Sequence, residues 1–207
     1  MQTTNPEPTV FVVDDDEAMR RSLKWLIEST GLPVQTFDSA DAFLTAYSPQ
    51  WNGCLLLDVR MPGMSGLELQ AYLARAEYRL PVVIITGHGD VAMAVKAMRA
   101  GALDFIEKPF HDEDLLGSIR RALEADSQAR AQRALYATVL ARLNELTPRE
   151  HEVMDLVAAG KSNKEIAAAL GVSAKTVEAH RAKVMDKMQA SSLADLVRMV
   201  LLVGHGA

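Results

Sequence analysis

Asp14-Asp15, Asp58, Thr86 and Lys108 are the residues of this chain whose types and spacing could do chemistry together. Each lies at the C-terminal end of a short apolar run. The runs are Val10-Phe11-Val12-Val13, Cys54-Leu55-Leu56-Leu57, Val82-Val83-Ile84-Ile85 and Leu103-Asp104-Phe105-Ile106. Runs of this kind read as buried parallel strands. An open parallel sheet binds ligands beyond the carboxyl ends of its strands. Residues distant in sequence therefore meet at one sheet edge. The types gathered there suit a divalent cation and a phosphoryl group. A hard cation such as Mg2+ takes oxygen ligands, usually one or two carboxylates with waters and a phosphate oxygen. A carboxylate is also a nucleophile toward phosphorus. Lys108 can neutralise phosphoryl oxygens, and the Thr86 hydroxyl can donate to one of them.

The elements that must hold these residues alternate along the front of the chain. Helical stripes follow the strand runs: Met19, Leu23, Leu26 and Ile27; Ala42, Phe43, Ala46 and Tyr47; Leu69, Tyr72 and Leu73. Asp90 reads as an N-cap before a stripe of Val91, Ala94, Val95 and Met98, and Leu115, Leu116, Ile119 and Leu123 form the last stripe. Val34 to Phe37 supplies a less apolar strand. The pattern is βαβαβαβαβα, so residues 9–124 are expected to form an α/β domain with a doubly wound, five-stranded parallel sheet.

From 125 to 144 glycine and proline are absent, and a helical linker is expected. Leu135, Val139, Arg142-Leu143 and Leu146 are spaced like a narrow helical seam, open to coiled-coil pairing or to a solvated single helix. Residues 145–207 are helical throughout in pattern. Thr147-Pro148-Arg149-Glu150 and Ser162-Asn163-Lys164-Glu165 are capping boxes, the first with proline at the opening helical position. Gly171-Val172-Ser173 makes a tight turn before a helix from Ala174 to Met188, and Ser191 or Ser192 caps a fourth helix. A short helix, a glycine-containing turn and a second helix form a helix-turn-helix, here within an all-α four-helix domain.

Charge separates the two ends. The chain has 207 residues and a net charge of -5. Residues 1–123 carry 11 basic and 17 acidic side chains, whereas residues 161–187 carry six basic and three acidic. Different partners are implied for the two parts. The single cysteine, Cys54, excludes an intramolecular disulfide and reads as a small buried strand residue. The N-terminus lacks signal-peptide features, and no apolar run is long enough to cross a bilayer, so a cytoplasmic protein with no membrane partner is expected.

Four segments in order carry a family resemblance across residues 9–124. Val12-Val13-Asp14-Asp15-Asp16, Asp58-Val59-Arg60-Met61-Pro62-Gly63-Met64-Ser65-Gly66, Thr86-Gly87-His88-Gly89-Asp90 and Lys108-Pro109-Phe110 resemble the receiver domain of two-component response regulators, a flavodoxin-like fold. The resemblance implies that Asp58 is the phosphoacceptor, with Thr86 and Lys108 contacting the phosphoryl group. It implies that Asp14 or Asp15, chiefly Asp15, and Asp58 bind Mg2+, together with the Arg60 carbonyl. It makes Phe105 a switch residue, whereas the residue alone reads as strand packing. Asp16 is either a helix N-cap or an indirect metal ligand. Haloacid-dehalogenase-type phosphatases also use an aspartate after a strand, with an acid/base aspartate two residues on; that position here is Arg60, which argues against a turnover enzyme.

At the other end, Leu146-Thr147-Pro148-Arg149-Glu150, Ser162-Asn163-Lys164-Glu165-Ile166-Ala167 and Thr176-Val177-Glu178-Ala179-His180-Arg181-Ala182-Lys183-Val184-Met185 resemble the LuxR-type helix-turn-helix. Together the two ends look like the NarL/FixJ class, on its FixJ-like side. Ile166, Ala167, Val177, Val184 and Met188 are core candidates. Lys164, Lys175, Thr176 and Lys187 are candidates for DNA phosphates, Glu178, Arg181 and Ala182 for base edges, and Lys183 for the groove or its walls. His180 reads as a packed polar residue. The class implies a sensor histidine kinase and double-stranded promoter DNA as partners, with RNA polymerase a further candidate. It also implies a homodimer formed on phosphorylation through the face of the fourth helix, fifth strand and fifth helix, where Val95 and Arg99 are the candidate residues.

Overall fold

The central apolar runs are buried on both faces, as strands inside a parallel sheet are. In the computed structural model, which describes residues 7–76, 78–87 and 89–204, the strands are β1 (Thr9–Val13), β2 (Val34–Phe37), β3 (Gly53–Asp58), β4 (Val82–Thr86) and β5 (Asp104–Glu107). All pair in parallel, in the order β2-β1-β3-β4-β5. The helices between them are α1 (Glu17–Glu28), α2 (Ala40–Ala46), α3 (Gly66–Arg75) and α4 (Val91–Arg99), and α5 (Asp112–Asn144) follows β5.

Successive strand side chains alternate between faces. Phe11, Val13, Leu55, Leu57, Val82 and Ile84 pack with Phe43 of α2, Leu69 and Leu73 of α3 and Ala97 of α4. Val10, Val12, Cys54, Leu56, Val83 and Ile85 pack on the opposite side with Leu23 and Ile27 of α1 and Leu115, Ile119 and Ala122 of α5. A fully buried aliphatic side chain contributes about 1.5–3 kcal/mol, so these two layers carry the receiver-like half. Cys54 is a core residue: burial, followed by the charge of Asp126, pushes its thiol up to about 12.

The fourth-helix stripe is correct as a stripe but faces outward. Val91 is 83% exposed, Val95 44% and Met98 47%. Ala97 and Met93 pack against the core in their place. Buried Gln70 of α3 reinforces this orientation by donating from Nε2 to the Ala97 carbonyl at 2.9 Å.

The expected linker residues are helical and continue the preceding helix without a break. Residues 125–144 are the later part of the single 33-residue α5, in which no proline or glycine interrupts the backbone after Gly117. Contacts divide the chain between Ala129 and Arg130, inside that helix. In the first unit the buried Asp126 carboxylate accepts the Gly53 N–H at 2.9 Å, fastening α5 to the start of β3.

The second unit holds α6 (Pro148–Ala158), α7 (Asn163–Leu170), α8 (Ala174–Met188) and α9 (Leu193–Gly204). Both expected capping boxes form, Thr147 with Glu150 and Ser162 with Glu165. N-caps of this type contribute about 1 kcal/mol each. Val153, Met154, Val157, Ile166, Val177, Val184, Met188 and Leu196 make the core, joined by Val139 and Leu146. Val139, Leu143 and Leu146 therefore have a partner inside their own unit, while Leu135 is exposed. Among the described residues, no helix is long and apolar enough to cross a membrane.

Candidate functional site

Strand register brings the first site together. Val13 pairs with Leu57, Asp58 with Ile85, and Thr86 with Glu107. Asp14, Asp58, Thr86 and Lys108 are thus the last strand residues or the first beyond them, side by side at the carboxyl edge. The Lys108 ammonium donates to Asp58 Oδ1 at 2.7 Å and to Asp14 Oδ2 at 2.8 Å. Its backbone N–H donates to the Thr86 carbonyl at 2.7 Å, which fixes the residue after β5 against the end of β4. The Lys108–Pro109 peptide bond is cis.

Each carboxylate has a second anchor. Asp58 Oδ2 accepts the Arg60 N–H at 2.7 Å, and Asp14 Oδ1 accepts the Asp16 N–H at 2.8 Å. Arg20 donates to the Asp14 carbonyl at 2.8 Å. Asp16 is the N-cap of α1, accepting from Ala18 and Met19. Asp14 is 1% exposed and Asp58 is buried, while Asp15 and the Arg60 side chain face solvent.

The electrostatics are unbalanced, because one lysine serves two acids. Burial raises the Asp58 carboxyl above its usual range; Lys108 pulls it back only in part, and the Asp14 charge adds to the rise. Burial pulls the Lys108 ammonium down, but the hydrogen bonds and charges of Asp14 and Asp58 outweigh it and leave it raised. Asp14, Asp15 and Asp58 have the oxygen chemistry a hard cation requires. Among the described residues no three acidic, histidine or cysteine side chains already form a metal-binding group. Lys108 stands between Asp14 and Asp58 instead.

Two glycines allow this packing, and the sequence reading assigned neither a role. A Cβ on Gly66 would lie 2.1 Å from the Asp58 carbonyl oxygen, so only glycine lets α3 begin against the end of β3. A Cβ on Gly89 would lie 3.0 Å from the Phe105 ring and 3.4 Å from Thr86 Cγ2. The half-buried Phe105 ring therefore sits against the loop that follows buried Thr86. His88 of that loop lies outside the described residues. The signal for both glycines was their place in the loops after Asp58 and Thr86.

The second candidate surface lies on α7 and α8. Lys164, Lys175, Thr176, Glu178, Ala182 and Lys183 are exposed, whereas Val177, Val184 and Met188 are buried. Half-buried Arg181 donates to Asn163 Oδ1 at 2.7 Å. Lys187 is differently placed from the other lysines. Its ammonium donates to buried Glu150 at 2.7 Å and to the Glu145 carbonyl at 3.0 Å. It holds the start of α6 against α8, so its ammonium, unlike those of the exposed lysines, is already engaged. His180 is half-buried, with Nδ1 buried and unpartnered among the described residues. Val95 and Arg99 are both exposed on α4.

Comparison with known proteins covers both halves. Residues 10–120 match the response regulator receiver domain, and residues 144–200 match bacterial regulatory proteins of the luxR family. Nodulation protein W of Bradyrhizobium diazoefficiens is 48% identical over 198 residues, 96% of this chain and 87% of that protein. Transcriptional regulatory protein FixJ of Rhizobium meliloti is also 48% identical over 198 residues, covering 96% and 97% of the two chains. Among solved structures, response regulator StyR is 45% identical with a TM-score of 0.85, over 94% of this chain and 98% of its own.

Proposed function

This chain belongs to the two-component response regulators that join a receiver to a LuxR-type DNA-binding domain, in the NarL/FixJ class, and we propose that phosphorylation of Asp58 switches its binding to promoter DNA. The observation that carries the reading is the Asp14–Lys108–Asp58 cluster at the sheet's carboxyl edge, in a chain whose other end is a helix-turn-helix.

A sensor histidine kinase is the donor. Asp58 attacks the phosphorus of its phosphohistidine; the new P–O bond replaces the P–N bond, and the histidine leaves. Asp58 is held for this by the Arg60 N–H and by Lys108, so its carboxylate is oriented before the donor arrives. Asp14 or Asp15, chiefly Asp15, and Asp58, with the Arg60 carbonyl, would hold Mg2+, which when bound neutralises charge on the phosphoryl oxygens. Lys108 then serves the phosphoryl oxygens instead of Asp58, and the Thr86 hydroxyl donates to them. No acid/base residue accompanies Asp58 at position 60, so the aspartyl phosphate is a signal that hydrolyses slowly by itself, and not a turnover intermediate.

The Phe105 ring lies beside the Thr86 loop, which is where a Thr86 shift would be felt. We assign it the switch role. The exposed α4 stripe, with Val95 and Arg99, is the homodimer face together with β5 and α5. Lys164, Lys175 and Thr176 hold phosphates, Glu178, Arg181 and Ala182 face base edges, and Lys183 lines the groove. RNA polymerase is a further partner of the bound dimer, and the cytoplasm is where kinase, polymerase and promoter meet. Size-exclusion chromatography with acetyl phosphate and Mg2+ tests the switch. Wild type should shift to a dimer and Asp58→Ala should not. A dimer shift in the variant would sink the mechanism.

A further inference from the structure

Glu178 and Arg181 are three residues apart on α8, the spacing at which opposite charges on a helix pair with each other. Here they do not. The Asn163 amide, at the first position of α7, lies between them: its Oδ1 accepts from Arg181 at 2.7 Å, and its Nδ2 donates to Glu178 Oε1 at 3.5 Å. An amide is suited to this because one end accepts and the other donates. Arg181 lines a small crevice with Val157, Val184, Met185 and Leu196.

We infer that Asn163 is a positioning residue for operator recognition: it keeps Glu178 and Arg181 from neutralising one another and holds both ready for base edges. The inference rests on the proposed base-reading role of those two residues. A guanidinium paired with its own helix partner has fewer donors for a guanine edge, and the paired carboxylate is a poorer acceptor for cytosine. Loss of Asn163 therefore costs discrimination between sequences. The phosphate contacts that set overall affinity and its salt dependence come from Lys164, Lys175 and Thr176, whose side chains do not depend on the Asn163 amide, and stay intact.

The test uses the full chain, phosphorylated with acetyl phosphate and Mg2+, to select from a pool of duplexes with a randomised centre. Arg181→Ala marks the base positions that depend on Arg181. Asn163→Ala should flatten preference at those positions, roughly tenfold, with the same binding to a non-specific duplex and the same salt slope. Adding Glu178→Gln removes the competing carboxylate and should restore most of the Arg181-dependent preference. Asn163→Asp keeps an acceptor for Arg181 but repels Glu178, so it should spare the Arg181-dependent positions and flatten those that depend on Glu178. The inference is overturned by an unchanged Asn163→Ala profile, by an even loss across all sequences with a shallower salt slope, or by no rescue from Glu178→Gln. If Arg181→Ala itself changes no position, the base-reading assignment fails and this inference with it; if only Asn163→Ala is silent, that assignment stands.

Discussion

Lys108 and Lys187 each donate to a buried carboxylate at 2.7 Å, Asp58 in the receiver and Glu150 in the DNA-binding domain, and the two acids respond in opposite directions. Asp58 is raised chiefly by burial and further by the Asp14 charge, and Lys108, which also serves Asp14, offsets this only in part. Glu150 is lowered to about 2, first by Lys187 and then by the Thr147 N–H that completes its capping box. One lysine facing one acid closes a structural contact. One lysine facing two acids leaves charge unresolved at a sheet edge, which is what a site awaiting a cation and a phosphoryl group requires. The same pair of residue types thus braces one domain and, under the proposed function, would receive the phosphoryl group in the other.

Breaking the brace should have the largest effect on stability. Lys187→Met leaves the Glu150 carboxylate, 3% exposed, without its cation. The DNA-binding domain should lose about 2–4 kcal/mol, read by thermal unfolding followed through helical circular dichroism. No loss would place Lys187 back among the free phosphate contacts. In the receiver, Lys108→Met leaves two carboxylates facing each other and should cost about 1–3 kcal/mol at neutral pH. Trp25 and Trp51, the chain's two tryptophans, lie in that half, so tryptophan fluorescence reports it separately. Lowering the pH should recover part of the loss as one acid takes up a proton. A loss that deepens on acidification would contradict the shared-lysine account.

Removing the acids sharpens the contrast further. Asp58→Asn should leave the receiver unchanged or up to about 1 kcal/mol more stable, since the ionised group is penalised there. Glu150→Gln should destabilise its domain. The smallest effect is in the pH slopes. Asp58, raised in the fold, contributes stability that is present below its ordinary value of 3.8 and lost as pH rises through the raised value. Glu150, lowered, contributes stability that is present above 4.5 and lost as pH falls toward about 2. Acid titration of each single variant against wild type should show slope changes of opposite sign.

The strand ends were legible because parallel strands buried on both faces appear as uninterrupted apolar runs, and topology then forces their carboxyl ends together. The helix starts were legible because Asp90, Thr147 and Ser162 satisfy backbone donors locally. The outward turn of Val91 and Met98 was not, although Val95, a candidate for the dimer face, is exposed. A periodic stripe reports that a helix has an apolar face, and only tertiary packing, here Ala97 and Gln70, decides which face meets the sheet. The division of labour among the lysines was hidden for a similar reason. Lys187 sits on the same helix as Lys175 and Lys183, and nothing in its neighbours along the chain announces Glu150, 37 residues away. The seam in α5 had the right period for a coiled coil, but its partners are in its own domain.

The most direct measurement is intact mass spectrometry of the full chain after incubation with acetyl phosphate, with and without Mg2+. The account predicts one added phosphoryl group on wild type, dependent on Mg2+, labile to hydroxylamine, and absent from Asp58→Asn. An unlabelled wild type, or an equal gain on Asp58→Asn, would contradict it.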